Sequence, residues 1–165
     1  MMKQIRTGLI VIAVFIGIAP FATEAWSQKK KVERIGASPE RVYTRPISVF
    51  RGLAKAWESG NAEAISRFAG DSKIFLNVRG IGQRGGYFSR PQVRYLFQRM
   101  FKAATPVKFK FVKYHNLDKP DRRVYGVAQR SYKKVRNNRL YQDKVYVTLR
   151  KEGERWVVAE IKTTR

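Results

Sequence analysis

The stretch from Gly80 to Gly85 has the glycine spacing of a nucleotide-binding turn. It matches G-x-G-x-x-G, in which glycines let the backbone approach a pyrophosphate at a helix N-terminus. That chemistry needs a helix beginning at the glycines and an acid about 20 positions later. Here Tyr87-Phe88 intervenes before the next predicted helix, and no acid occurs between Asp71 and Asp118. We therefore predict a glycine-rich hairpin tip and no cofactor.

His115 is the single histidine, the residue type best suited to proton transfer near neutral pH. It lies beside Tyr114 and Asn116 at the end of a predicted strand, and general acid–base catalysis needs a positioned partner that the sequence does not offer. We expect a hydrogen-bonding residue at or near the surface, with a place in a pocket as the weaker alternative. Acids are few and scattered, so we predict no metal site and assign no catalytic residue.

Basic and aromatic side chains alternate with apolar ones along the later predicted strands. The set comprises Lys108, Lys110, Lys144, Tyr146, Arg150 and Lys162. Positive charge beside flat rings suits phosphate backbones and sugar or base faces, which predicts an anion-binding face. The alternatives are a solvated face and a homodimer interface with aromatic residues at its centre and lysines at its rim.

The net charge indicates what kind of partner to expect. Lysine and arginine number 35 against 12 acids, which gives a formal net charge of +23. Such a charge attracts polyanions and anionic surfaces. The partner classes are lipid headgroups, acidic polysaccharide, nucleic acid and acidic protein, and the sequence does not choose among them. The absence of cysteine excludes disulfides and thiol chemistry.

Residues 1–27 have the pattern of an export signal. Lys3 and Arg6 precede an apolar run from Leu9 to Ala19. A membrane span needs about 20 apolar residues, and Pro20 interrupts this run. We predict a signal peptide over 1–27, export to the periplasm or the exterior, and no transmembrane anchor in the mature form.

The rest of the chain divides into a lead-in and a domain. Residues 28–44 begin with three lysines and lack apolar periodicity, so we predict a flexible basic lead-in. Residues 45–165 contain the periodic segments and form one domain. In it, two helices precede a strand over 72–79, with a second short strand predicted at Tyr87-Phe88.

A helix predicted from Ser89 to Ala104 organises this domain. Its apolar face recurs at helical period and comprises Val93, Leu96, Phe97, Met100, Phe101 and Ala104. Ser89 and Gln92 stand in capping-box relation, and Pro106 prevents continuation. Four antiparallel strands follow, in the first of which Val107, Phe109 and Phe111 are predicted to point inward.

This order of elements resembles the nuclear-transport-factor-2-like fold, also described as cystatin-like. The segment from Ser59 to Ala62, the glycine-rich hairpin and Tyr87-Phe88-Ser89 before a helix are similar to a small exported bacterial family of unknown function with that fold. The similarity runs from about Ile47 to Lys162. It implies an α+β class with a curved antiparallel sheet wrapped around helices into a cone, and export, but no chemistry.

Asp143 is the best candidate for an acid inside such a cone. Enzymes of the similar fold, such as ketosteroid isomerase and polyketide cyclases, place Asp and Tyr there, and Asp143 shares the parity of Val145. The simpler explanation is a strand-entry residue paired with a nearby cation, since charges are seldom buried alone. We therefore predict a non-catalytic binding or structural module that engages an anionic partner. The alternative is a small enzyme acting on an apolar ligand in the cone pocket.

Overall fold

Within residues 43–119 and 121–164, three helices and six strands follow one another in the predicted order. The computed structural model describes residues 43–119 and 121–164, so the predicted signal peptide and residues 28–42 of the lead-in lie outside the described residues. The elements are α1 Pro46–Glu58, α2 Ala62–Ser66, β1 Ile74–Val78, β2 Ile81–Phe88, α3 Arg90–Ala103, β3 Ala104–His115, β4 Val124–Lys134, β5 Leu140–Glu152 and β6 Arg155–Thr164. None of the helices in these ranges is long and apolar enough to cross a membrane.

The strands form one sheet in the order β2-β1-β6-β5-β4-β3. Neighbouring strands run antiparallel except β1 and β6, which are parallel and pair Phe75 with Glu160. The predicted α+β class with a curved antiparallel sheet packed on helices is confirmed. We call the face that packs against the helices the inner face and the opposite one the outer face.

Aromatic side chains join the helices to the inner face. Trp57 of α1 is 1% exposed, stacks on Phe109 of β3 with ring centroids 4.4 Å apart, and meets Phe97 of α3 edge-on at 5.0 Å. Both helices carry one apolar stripe, so burying that stripe against the sheet supplies the main driving force for folding. The predicted cap of α3 is present, because the Ser89 N–H donates to Gln92 Oε1 at 2.9 Å.

The glycine-rich segment is a strand where we predicted a flexible turn. The turn consists of Arg79 and Gly80 alone, with Gly80 at φ +96°, and Ile81 is already a buried strand residue. The short strand predicted at Tyr87-Phe88 is the end of β2, and glycines show no inside–outside alternation, so the sequence pattern did not reveal residues 81–86 of the strand. Gly85, at φ +71°, lets the strand pass close to the Phe75 ring, where a Cβ would lie 2.9 Å from the nearest ring atom.

The edge strand β3 departs from simple alternation at two places. Register shifts lie between Pro106 and Lys108 and between Phe111 and Lys113. The first shift leaves Val107 53% exposed, so its predicted inward position is wrong. Pro106 also lies inside β3 because α3 ends at Ala103 and β3 begins at the next residue.

Candidate functional site

A cavity of about 310 Å³ lies among α1, α3, β4 and the turn between β1 and β2. We call it the cone cavity. Its apolar wall includes Trp57, Met100, Phe101 and Pro106. Its polar wall consists of Arg79, Arg130, Tyr132 and Lys134. Three of these polar residues are cations and none of the residues lining the cavity is an acid, so the cavity favours a negatively charged group.

The alternation of β4 brings two polar residues to the inner face. Ala128, Arg130 and Tyr132 are all buried, and Arg130 is only 2% exposed. The Arg130 guanidinium carbon lies 4.3 Å from the Tyr132 ring centroid, and its Nη1 lies 3.4 Å from the Met100 sulfur. Contact with an aromatic face and a thioether allows the flat guanidinium to be buried among the side chains of the inner face.

A buried ion-pair cluster holds Arg130 in place. Asp143 lies directly opposite it on β5, and Arg130 Nη2 is 2.5 Å from Asp143 Oδ2. Arg79 reaches across from the β1–β2 turn and places Nη1 2.8 Å from Asp143 Oδ1. The Asp143 side chain is 1% exposed, and a charge so deeply buried requires such partners. One carboxylate between two guanidinium groups leaves one positive charge beside the cavity.

Two buried polar atoms of residues that line the cavity donate to no acceptor among the described residues. They are Arg130 Nε and the Tyr132 hydroxyl. Burial raises the pKa of Tyr132 and the Asp143 carboxylate raises it further, whereas the Arg130 and Arg79 cations and a hydrogen bond donated by Arg79 lower it by less. The hydroxyl therefore stays protonated at neutral pH. Both atoms are then donors, and a buried donor without an acceptor costs about 1–3 kcal/mol.

Lys134 carries positive charge at the end of the cavity. Its Nζ lies 4.5 Å from the Tyr141 ring centroid, and Tyr141 in turn stacks on Tyr132 at 5.6 Å. The ammonium group thus makes a cation–π contact with Tyr141 beside the cavity.

Solved structures resemble this one, whereas no protein-family model and no curated protein matches the sequence. A DUF4783 family protein from Bacteroides uniformis ATCC 8492 is 15% identical over 70% of this chain and 94% of that chain, with a TM-score of 0.57. A hypothetical protein with a ketosteroid isomerase-like fold from Catenulispora acidiphila DSM 44928, in complex with trimethylamine, is 14% identical over 71% and 84%, with a TM-score of 0.55. A domain of unknown function with a cystatin-like fold from Nostoc punctiforme PCC 73102 is 13% identical over 72% and 73%, with a TM-score of 0.54.

The chain has the nuclear-transport-factor-2-like fold. The neighbours include proteins of unknown function with this fold, as the resemblance implied. At these identities the likeness extends to the fold and not to any activity.

Asp143, the predicted pocket acid, lies beside the cone cavity of this nuclear-transport-factor-2-like domain and forms ion pairs with two arginines that line it. Both of its oxygens are in ion pairs, one with Arg130 and one with Arg79. This geometry matches the simpler explanation, a charged strand residue paired with cations. The sequence analysis missed Arg130 itself. Apolar and polar residue types do not alternate regularly in the sequence of β4, so the sequence did not show that Arg130 points inward.

His115 lies far from Asp143 in the nuclear-transport-factor-2-like sheet. Its ring stacks on Tyr125 with centroids 4.2 Å apart, at the end of β3 opposite to the cavity. Phe109, which pairs with Arg130, is six residues away along β3, or roughly 20 Å. The two weak pocket candidates are therefore not part of one site. Across residues 43–119 and 121–164, no group of three or more potential ligands could hold a metal ion.

The predicted anion-binding face divides into two parts. Lys108, Lys110, Lys144, Tyr146 and Lys162 lie on the outer face of the sheet, where Lys162 Nζ is 3.3 Å from Glu160 Oε1. Arg150 is separate from them. It donates to the carbonyls of Ser72 and Lys73 at 3.1 and 3.3 Å and pairs with Glu152 at 2.8 Å, so it holds the segment before β1.

Proposed function

We propose that this protein is a non-catalytic binding module whose cone cavity holds the anionic group of a small ligand with an apolar or aromatic body. The observation that carries the proposal is the pair of buried donors without an acceptor among the described residues, Arg130 Nε and the Tyr132 hydroxyl, at a cavity lined by three cations and no acid. A carboxylate offers two acceptor oxygens and a negative charge, which would satisfy both donors at once.

The rest of the cavity suits the body of such a ligand. Trp57 and Phe101 offer aromatic surface and Met100 a polarisable thioether. About 310 Å³ falls at the lower end of the roughly 300–1,000 Å³ typical of small-molecule sites. The neighbour from Catenulispora acidiphila is a complex with trimethylamine, whereas the cations here favour a ligand of opposite charge.

The alternative, a small enzyme acting on an apolar ligand, would need a group free to accept a proton. Both oxygens of Asp143 are engaged by arginines, so the geometry does not favour it as that base. We therefore favour a binding function over a catalytic one.

Lysines of the outer face would assist this function by general attraction. Lys108, Lys110 and Lys144 are exposed there, and their charge would raise the local concentration of an anionic ligand or of a surface that carries it. Lipid headgroups, acidic polysaccharide, nucleic acid and acidic protein remain the partner classes to test, and pairing of two copies through this face would compete with them.

The experiment titrates the protein with 2-naphthoate and follows the fluorescence of the ligand. The neutral isostere 2-naphthamide is the control ligand. Tyr132→Phe removes one hydroxyl and little volume, and Tyr141→Phe is the matched control on a neighbouring tyrosine that does not line the cavity.

We expect saturable binding of the carboxylate that persists at 0.3 M salt, since buried charges are weakly screened. Tyr132→Phe should weaken it about tenfold or more, because a hydrogen bond to a charged group contributes about 1.5–3 kcal/mol. Tyr141→Phe should change it less than about twofold. Equal binding of the amide, or equal losses in the two variants, would refute the proposal.

We also propose export, on the strength of the charged and apolar pattern of residues 1–27. Intact-mass measurement of protein recovered from an exporting bacterial host should give a chain shortened by about 25–27 residues. A full-length chain in the membrane fraction would contradict it.

A further inference from the structure

The edge strand β3 contains a short section of regular backbone, and no further strand pairs with its far side among the described residues. Residues 108–111 lie between the two register shifts of this strand. The Phe109 N–H donates to Glu58 Oε1 of α1 at 3.1 Å, so it points away from β4. Phe111 follows two residues later and directs its backbone groups the same way, since strand geometry repeats every second residue. Phe109 is 1% and Phe111 8% exposed, so an added strand would pair here by displacing the Glu58 side chain from the Phe109 N–H.

A groove of about 400 Å³ runs between this edge and α1. Cations border it on both sides, with Arg51 and Lys55 on α1 and Lys108 and Lys110 on β3. All four are exposed, and none of them forms an ion pair with an acid in the part of the chain that the structure describes. An extended chain lying in the groove would meet two cations on each of its faces.

The Glu58 carboxylate already occupies one position that an added strand would use. Its oxygen accepts the Phe109 N–H where the backbone carbonyl of a neighbouring strand would accept it. It is also the one acid lining the groove. The Glu58 carboxylate thus combines the two properties expected of a segment that docks here, a hydrogen-bond acceptor for the Phe109 N–H and negative charge.

We propose that the β3 edge and α1 form a docking groove for an acidic, extended segment of a partner protein. The segment would add a strand beside residues 108–111, with backbone hydrogen bonds supplying affinity and its acids meeting the four cations. This groove lies apart from the cone cavity and shares with the function proposed above only Lys108 and Lys110, whose general attraction for anions acts on both.

A second copy of this chain does not fit the groove. Lysines on an edge strand are a common protection against self-pairing, because two such edges would bring like charges together. Lys108 and Lys110 of one copy would face those of the other. An acidic strand reverses the sign of this interaction, so the same lysines that exclude a copy would select the partner.

The register shifts limit the strand that can be added. Regular pairing covers four residues, from Lys108 to Phe111, so a segment of about six residues fills the site. Affinity would therefore be modest and strongly dependent on charge.

The test uses a fluorescein-labelled nine-residue peptide rich in Glu and Val, followed by fluorescence anisotropy with the whole protein. The control peptide has the same sequence with its central amides N-methylated, which keeps the charge and blocks strand pairing. Lys108→Glu with Lys110→Glu should weaken binding at least tenfold. The matched control, Lys133→Glu with Arg136→Glu, makes the same change in net charge at exposed positions at the end of β4 and just after it, and should have less than a threefold effect.

Two variants of Glu58 separate hydrogen bonding from charge. Glu58→Gln removes the charge but keeps an acceptor for the Phe109 N–H, whereas Glu58→Ala also frees that donor. We expect the alanine variant to bind the peptide more tightly than the glutamine variant. Amide exchange measured by NMR should show new protection of Phe111 with the peptide and none with its N-methylated form. Equal binding of the two peptides, or equal losses in the two charge-reversed pairs, would overturn the proposal.

Discussion

Removing Asp143 alone should destabilise the protein more than removing Asp143 and Arg130 together. Asp143→Ala leaves the Arg130 guanidinium, whose side chain is 3% exposed, without its carboxylate. Its remaining contacts, the Met100 sulfur at 3.4 Å and the Arg79 carbonyl at 3.3 Å, do not neutralise a charge. An unpaired buried ion of this kind costs about 3–5 kcal/mol.

The double variant Asp143→Leu with Arg130→Met removes both charges and fills most of the volume. Replacements of buried ion pairs by apolar residues are often neutral or stabilising, so we expect its stability to lie within about 2 kcal/mol of the wild type. Arg79 remains, but its side chain is 44% exposed and can turn toward water. Arg79→Met alone should therefore cost only about 1 kcal/mol or less.

The assay is urea unfolding followed by tryptophan fluorescence. Trp57 reports on this region, since it is buried and its ring lies 5.9 Å from the Arg130 guanidinium carbon. The single variant should also melt roughly 10–20 °C below the wild type, at about 3–5 °C per kcal/mol for a domain of this size. A double variant as unstable as Asp143→Ala would refute the reasoning, because the pair would then contribute net stability beyond neutralising a buried charge.

Two further predictions concern the core and the response to acid. Phe97→Ala should cost about 3–5 kcal/mol because Phe97 is fully buried against Trp57, whereas Arg94→Ala, with a side chain 54% exposed, should change stability by less than about 0.5 kcal/mol. Equal costs would reverse the assignment of the two faces of α3. Burial raises the pKa of Glu152, but hydrogen bonds from the Asp71 N–H and Arg150 outweigh it, so this pKa lies below the ordinary 4.5. The ionised group stabilises the fold above about pH 4.5, and that contribution is lost as the pH falls through the lowered pKa. Glu152→Gln should thus be less stable than the wild type at pH 7, with a difference that shrinks below about pH 4.5 in denaturant titrations at several pH values. A constant difference would contradict this assignment.

Periodicity predicted most of the fold because apolar side chains mark the buried face of each element. α3 and its cap could be identified in this way, as could the alternation of Val145 and Val147 in β5. Only the end of β2, at Tyr87-Phe88, could be identified, since the glycines before it carry no side chains that reveal a face. The register shifts in β3 were also hidden, because a bulge depends on pairing with β4 and not on local composition.

Only part of the candidate site could be predicted from the sequence. Asp143 was singled out by its parity, but its partner was not. Asn137 and Asn138 are typical turn residues, but strands folding back about them would bring Arg130 opposite Val145. The observed pairing is centred between Arg136 and Asn137 and brings Arg130 opposite Asp143. Two opposite charges at inward positions on paired strands are a signal of a buried ion pair. The cone cavity itself depends on α1 and α3 as well, and single-sequence periodicity does not measure the space between elements.

The parallel pairing of β1 with β6 has a consequence for the order of folding. β3 to β6 join neighbours in sequence and β1 pairs with β2 across two residues, so these units close short loops. Joining Phe75 to Glu160 closes most of the domain, and contacts so distant in sequence form slowly. The ion pair of Arg79 with Asp143 bridges the same two units. We therefore expect the cone cavity to be completed in the last stage of folding. A ligand that requires it would then bind the native state but no partly folded one, slowing unfolding without accelerating folding.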